Sequence, residues 1–127
     1  MPTGPEVNND LYRNQRMSMQ GIATEVGTAT ASSAAATLND LAGLITSEAL
    51  TTAQNAFYTL TLTNSKIAAG DLVFASVQDG TNTQGTPMIG QIKPAAGSCT
   101  IEVINKHASA EAFNGTIKIA FWVVKAL

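Results

Sequence analysis

GTIKIAFWVVKAL, residues 115–127, is the stretch on which the fold of this chain turns. It follows Asn114, so it opens on an Asn-Gly turn signal, and it runs apolar to the last residue. Ile117, Ile119, Phe121 and Val123 fall on one side of a two-residue repeat, with Lys118, Ala120, Trp122 and Val124 on the other. Such alternation, rich in β-branched and aromatic residues, marks a β-strand, whose successive side chains point to opposite faces of a sheet. The first face is wholly apolar and should point into a core. The second turns apolar near its end, so something should cover Trp122 and Val124. A strand apolar on both faces belongs inside a sheet, and the other strands are expected to find their places around it.

Working backwards, Cys99, Ile101 and Val103 alternate with Thr100 and Glu102, and Met88–Lys93 make a short strand ahead of the turn at Pro94–Gly97. Val73, Ala75 and Val77 oppose Leu72 and Phe74. Tyr58, Leu60 and Leu62 alternate with Thr59, Thr61 and Thr63, which makes a half-buried strand with a hydroxyl-bearing face. Over residues 37–47, helix and strand compete. The β-branched end and Gly43 favour strand, with a bend at Asn39–Asp40. Polar loops with turn chemistry fill residues 79–87 and 105–114. Six or so strands without a convincing helix after residue 50 predict an all-β fold, an antiparallel β-sandwich or barrel of Greek-key or jelly-roll type.

The 127 residues suffice for one domain. Charged residues make up only 13%, about half the usual share. Thr, Ser, Ala, Asn and Gly replace them, a mixture suited to strands, turns and a surface that lies against another protein. The net charge of −2 and the lack of any Lys/Arg run argue against a nucleic-acid partner. No segment approaches a membrane span, and MPTGPEVNND does not read as a signal peptide. The single cysteine, Cys99, permits no internal disulfide and fits a reducing cytoplasm.

Residues 1–36 differ from the rest and read as an extended N-terminal arm, leaving 37–127 as the sandwich body. Large apolar residues are sparse in the arm, so it cannot form a core of its own. Leu11, Gln15, Met19, Ile22 and Val26 nonetheless lie near helical spacing, behind an N-cap candidate at Asn9 or Asp10. Either the segment is a disordered tail, or it orders when laid on a partner. Leu11, Tyr12, Met17, Met19 and Ile22 favour the second reading, since a pure linker has no use for them.

The chemical inventory is thin. His107 is the sole histidine, and one His without an acid or Cys cluster builds no zinc site. Cys99 sits on an inward parity and reads as a buried small hydrophobe rather than a nucleophile. The carboxylates are spread singly, and the glycines match no phosphate-binding pattern. No catalytic residue, metal ligand or cofactor site is expected. The uncharged face of Thr59, Thr61 and Thr63 is either a plain exposed face or one that packs against copies of the same chain, where charges would be costly to desolvate.

LNDLAGLITSEALTTA (38–53), LTLTNSKI (60–67), DGTNTQGTP (79–87) and FNGTIKIAFWVV (113–124) together resemble a group of small virion proteins of tailed bacteriophages, the head decoration (cement) or head-fibre-like proteins. The resemblance covers residues 37–127. It implies a β-sandwich knob that clusters, as a trimer, on the capsid surface, made in the host cytoplasm and bound to the major capsid protein through its arm. It also implies a structural role without enzymatic activity. A head-fibre or tail-fibre tip that binds a host receptor or glycan is the competing reading.

Overall fold

A computed structural model of the chain describes residues 26–127. Eight strands run through them: β1 (Gly27–Thr30), β2 (Ala35–Thr37), β3 (Ala42–Thr46), β4 (Phe57–Thr63), β5 (Leu72–Asp79), β6 (Pro87–Ala95), β7 (Ser98–Asn105) and β8 (Ile117–Val124). They form two four-stranded sheets, ordered β1-β3-β8-β5 and β2-β4-β7-β6. No helix occurs among the described residues.

Each consecutive pair, β1/β2, β3/β4, β5/β6 and β7/β8, contributes one strand to each sheet. The pairs stack in the same order in both sheets: first, second, fourth, third. The fourth pair is therefore interior in both, and each of its strands has four buried residues. β8 is flanked by β3 and β5, both antiparallel to it, and β7 by β4 and β6, likewise antiparallel. The first pair runs alongside the second in the same direction, so β1 is parallel to β3 and β2 to β4. Both sheets are thus mixed, which corrects the wholly antiparallel expectation.

The inner faces follow the two-residue period. Ile117, Ile119, Phe121 and Val123 of β8 meet Cys99, Ile101 and Val103 of β7 and Tyr58, Leu60 and Leu62 of β4, all buried. Val73, Ala75 and Val77 of β5 and Ile89 and Ile92 of β6 pack against the same core from its rim. Gly43 pairs with Phe121 in the β3–β8 register, and a Cβ there would lie 2.7 Å from the Phe121 ring. A glycine is needed for the ring to lie across the strand. β6 is an edge strand whose register shifts between Ile89 and Ile92; it holds Pro87 and Pro94, which an edge tolerates because no neighbour needs their missing N–H.

The body begins earlier than residue 37. Residues 27–37, assigned to the arm by sequence, supply an edge strand to each sheet. Their run of small residues shows no hydrophobic period, yet a sandwich rim has room for little more. Ala31 and Ala36 are buried there and Ala29 packs against the core. The turn between β1 and β2 carries Ser33 and Ala34 at φ 50° and 60°, an uncommon backbone for non-glycine residues. Glu48 holds it: Oε1 accepts from the Ala34 N–H at 2.7 Å, while Oε2 accepts from the Tyr58 hydroxyl at 2.9 Å.

Candidate functional site

Among the described residues, a contiguous exposed apolar surface lies on the outer face of the β1-β3-β8-β5 sheet. Trp122 and Phe74 are directly opposed across β8 and β5, with ring centroids 6.0 Å apart and planes tilted by 37°. Their exposures are 53% and 54%, and Leu72, opposite Val124, reaches 62%. On the other flank, Ala42 opposes Trp122 and Leu44 opposes Ala120. Val26, just ahead of β1, is 44% exposed and closes this side. Trp122 therefore stands between two shallow concavities, one toward Phe74 and Ser76, the other toward Val26, Ala42 and Leu44. The expected cover over Trp122 and Val124 is not supplied by any described residue. Single exposed hydrophobic residues are ordinary, but a contiguous patch marks an interaction surface.

The opposite outer face is different. Thr59, Thr61 and Thr63 are exposed there and pair with Glu102, Thr100 and Ser98 of β7. Lys93 of β6 also lies opposite Thr100. Hydroxyls alternate with charges on this sheet, and its apolar spot is confined to the end where Phe57 and Met88 flank Ile104.

At one end of the sandwich, three loops that the sequence left separate are tied together by asparagines. Asn105, fully buried, donates to the carbonyls of Thr52 and Glu111 at 3.0 and 2.8 Å, and accepts from the N–H groups of Thr86 and His107. Buried Asn82 donates to Asp79 and to the Gln84 carbonyl, and accepts from the Asn114 N–H. Asn114 accepts in turn from the Thr83 N–H. Glu111 Oε1 accepts from the Gly85 N–H at 2.8 Å. Gly85 has φ +75°, and a Cβ there would lie 2.7 Å from the Phe113 ring, so this turn needs glycine on both grounds. One sequence signal was available: Asn105 continues the inward parity of Cys99, Ile101 and Val103, so a polar side chain was bound to face the interior.

The same cluster contains a Ser–His–Glu arrangement that the sequence did not suggest. His107 Nδ1 lies 3.2 Å from Ser109 Oγ, and Nε2 lies 3.7 Å from Glu111 Oε1. Its geometry fits loop stapling. The Ser109 N–H and carbonyl also reach Nδ1 at 3.2 Å, and Glu111 Oε1 is already engaged by Gly85. All three residues lie within five positions of one another on an exposed loop, so no separate element presents a substrate to the hydroxyl.

Elsewhere, titratable groups are engaged structurally. Hydrogen bonding from Lys125, and then from the N–H groups of Ala126 and Ala68, lowers the Asp71 carboxyl to about 2. Burial, followed by the hydrogen bond and charge of Glu48, pushes the Tyr58 phenol well above its ordinary value. Burial also raises the Cys99 thiol, which disfavours the nucleophilic thiolate. Among the described residues, no three His, Cys, Asp or Glu side chains group as metal ligands. No described helix is long and apolar enough to cross a membrane.

Leu11, Tyr12, Met17, Met19 and Ile22, expected to form the binding arm, lie outside the described residues. Comparison with protein-family models, with curated proteins and with solved structures finds no match to this chain.

Proposed function

We propose that this protein is a structural component of a tailed-bacteriophage virion, a decoration or cement protein that binds the outer capsid surface and stabilises the mature shell. The observation that carries the reading is the apolar outer face of Trp122, Phe74, Leu72 and Val124, continuous through Val26 with the N-terminal arm. Arm and face are the two elements that contact the shell in this reading, on a small sandwich in which Glu48, Asp71, Asp79 and Glu111 hold turns and loops. The partner is the major capsid protein. Copies of the chain associate as a trimer through the Thr59, Thr61 and Thr63 face, and no nucleic acid or membrane takes part. The β6–β7 hairpin, which in the chain separates β5 and β8, the paired strands of the other sheet, supports a Greek-key or jelly-roll kinship.

Such a protein works by mass action. Binding only the expanded shell stabilises that state by the binding free energy, and many symmetric copies multiply a modest contact into firm retention. Co-sedimentation with purified shells tests the reading. The full chain should pellet saturably, and a chain beginning at Val26 should not. Residue 26 replaces residue 37 as the truncation point because β1 and β2 belong to the body.

A fibre-tip module that binds a host receptor or glycan is favoured by one observation. The 79–87 and 105–114 loops converge into a single hydrogen-bonded surface through Asn82, Asn105 and Asn114. Binding to host cells without pelleting on shells would select it.

A further inference from the structure

We propose that β5 is a docking edge for a second copy of this chain. The two β5 strands pair antiparallel about a two-fold axis at Ala75, and the two β1-β3-β8-β5 sheets become one sheet of eight strands. The hydrogen-bond parity of β8 decides which backbone groups are free. Val123 donates to the Leu41 carbonyl and the Ile117 carbonyl accepts from Ser47, so the odd-numbered residues of β8 spend their backbone groups on β3. The even-numbered ones therefore serve β5, where they face Leu72, Phe74, Ser76 and Gln78. That leaves the N–H and C=O groups of Val73, Ala75 and Val77 directed away from the sheet, with no partner strand among the described residues.

The four sheet edges are not alike. β1 and β2 are four and three residues long, and β6 carries Pro87, Pro94 and a register shift. Shortness, proline and bulges are what keep an edge from pairing. β5 has none of them. Its eight residues hold an unbroken register and include no proline, glycine, lysine or arginine. Its inward row, Val73, Ala75 and Val77, is only half-buried, whereas the inward rows of β7 and β8 are buried. One more strand would complete that burial.

The strand fits itself. Antiparallel pairing centred on Ala75 sets Val73 against Val77 and Ala75 against Ala75, so the inward row meets apolar side chains only. Asp71 and Asp79 lie equally far either side of Ala75, so Asp79 of one copy comes opposite Asp71 of the other. Asp71 already holds the half-exposed Lys125, so the added carboxylate arrives beside a cation. The contact is edge to edge. It leaves the outer face around Trp122 open and does not use Thr59, Thr61 or Thr63, so it stands whether or not the capsid reading does.

In this register Phe74 comes opposite Ser76 of the second copy as a non-hydrogen-bonded pair, with Cα atoms about 4.5 Å apart. A disulfide spans that distance but not the roughly 7–8 Å between two Phe74 or two Ser76 positions. The test mixes full-length Phe74→Cys and Ser76→Cys proteins, carrying tags of different mass, in an oxidised and reduced glutathione buffer. Non-reducing gels should show a linked heterodimer well above the homodimers that either protein forms alone. Wild type sets the background, since Cys99 is fully buried. Ala75→Pro added to both proteins should abolish the linkage, because it removes an outward N–H and spares the bonds to β8. An unchanged far-ultraviolet circular dichroism spectrum confirms that the proline variant is folded; if it is not, the mixing comparison decides alone. Linkage no greater in the mixture than in either protein alone overturns the inference. So does linkage that survives Ala75→Pro in a folded body, which would put the contact elsewhere.

Discussion

Replacing Asn105 with Asp changes one amide NH₂ into an oxygen and leaves size and shape alone, so it isolates what the two donated hydrogen bonds contribute. Asn105 is fully buried, and its Nδ2 bonds the carbonyls of Thr52 and Glu111 while its Oδ1 serves the N–H groups of Thr86 and His107. When ionised, the introduced carboxylate keeps both accepted bonds, loses both donated ones and sets an oxygen against two carbonyl oxygens. The Thr52 carbonyl keeps the Phe113 N–H at 3.0 Å, so the Glu111 carbonyl is the one left without its donor, at about 1–3 kcal/mol, and a buried charge adds to this. The variant has one escape: on protonation its hydroxyl donates to one of the two carbonyls. Its folded-state pKa should therefore rise above the unfolded value of about 3.9. A raised carboxyl pKa makes the deficit smallest below the unfolded pKa, where both states are protonated. The deficit then grows as pH climbs to the folded pKa and is constant beyond. Urea denaturation of wild type and Asn105→Asp should differ by about 3–5 kcal/mol at neutral pH and by about 1–3 kcal/mol near pH 4. Comparing the two proteins at each pH cancels titrations they share. A neutral-pH difference under about 1 kcal/mol, or one that does not change with pH, would refute the idea that this amide joins the three loops.

Phe121→Ala should cost about 3–5 kcal/mol in chemical denaturation, because the ring is 4% exposed and its removal leaves a cavity over Gly43. Since Lys125 and two backbone N–H groups hold the folded Asp71 carboxyl near 2, against an ordinary 3.8, its contribution is present above pH 3.8 and is lost as pH falls toward 2. Thermal melts of wild type and Asp71→Asn should thus converge across that window, and a gap that persists at pH 2 would disprove the linkage. Glu48→Ala should loosen the β1–β2 turn, which hydrogen exchange at the Ala34 and Ala35 amides would register as faster than wild type. Glu48→Gln, which keeps the carbonyl acceptor for the Ala34 N–H, should restore much of the protection.

The two-residue period revealed β4, β5, β7 and β8, because each has one face in the core and one outside it. It sorted Phe121 inward and Trp122 outward correctly. It missed β1 and β2, because Gly27–Thr37 consists of small residues that carry no hydrophobic contrast. Their place depends on a parallel register with β3 and β4 and on a carboxylate at Glu48, distant in sequence. The candidate site was half legible. An apolar outer face could be anticipated from Trp122 and Val124, but its extent could not, since Phe74 and Leu72 reach it through a pairing of β5 with β8 that no local pattern encodes.

Local sequence thus carried the strand identities, the inward parity and the turn chemistry, because these rest on backbone preference and on burial of alternate side chains along a single strand. Strand order, the mixed sheets, the meeting of three loops on Asn105 and the patch around Trp122 came from folding in three dimensions. They depend on which distant segments share a hydrogen-bond ladder, and that choice is made by packing the whole core at once.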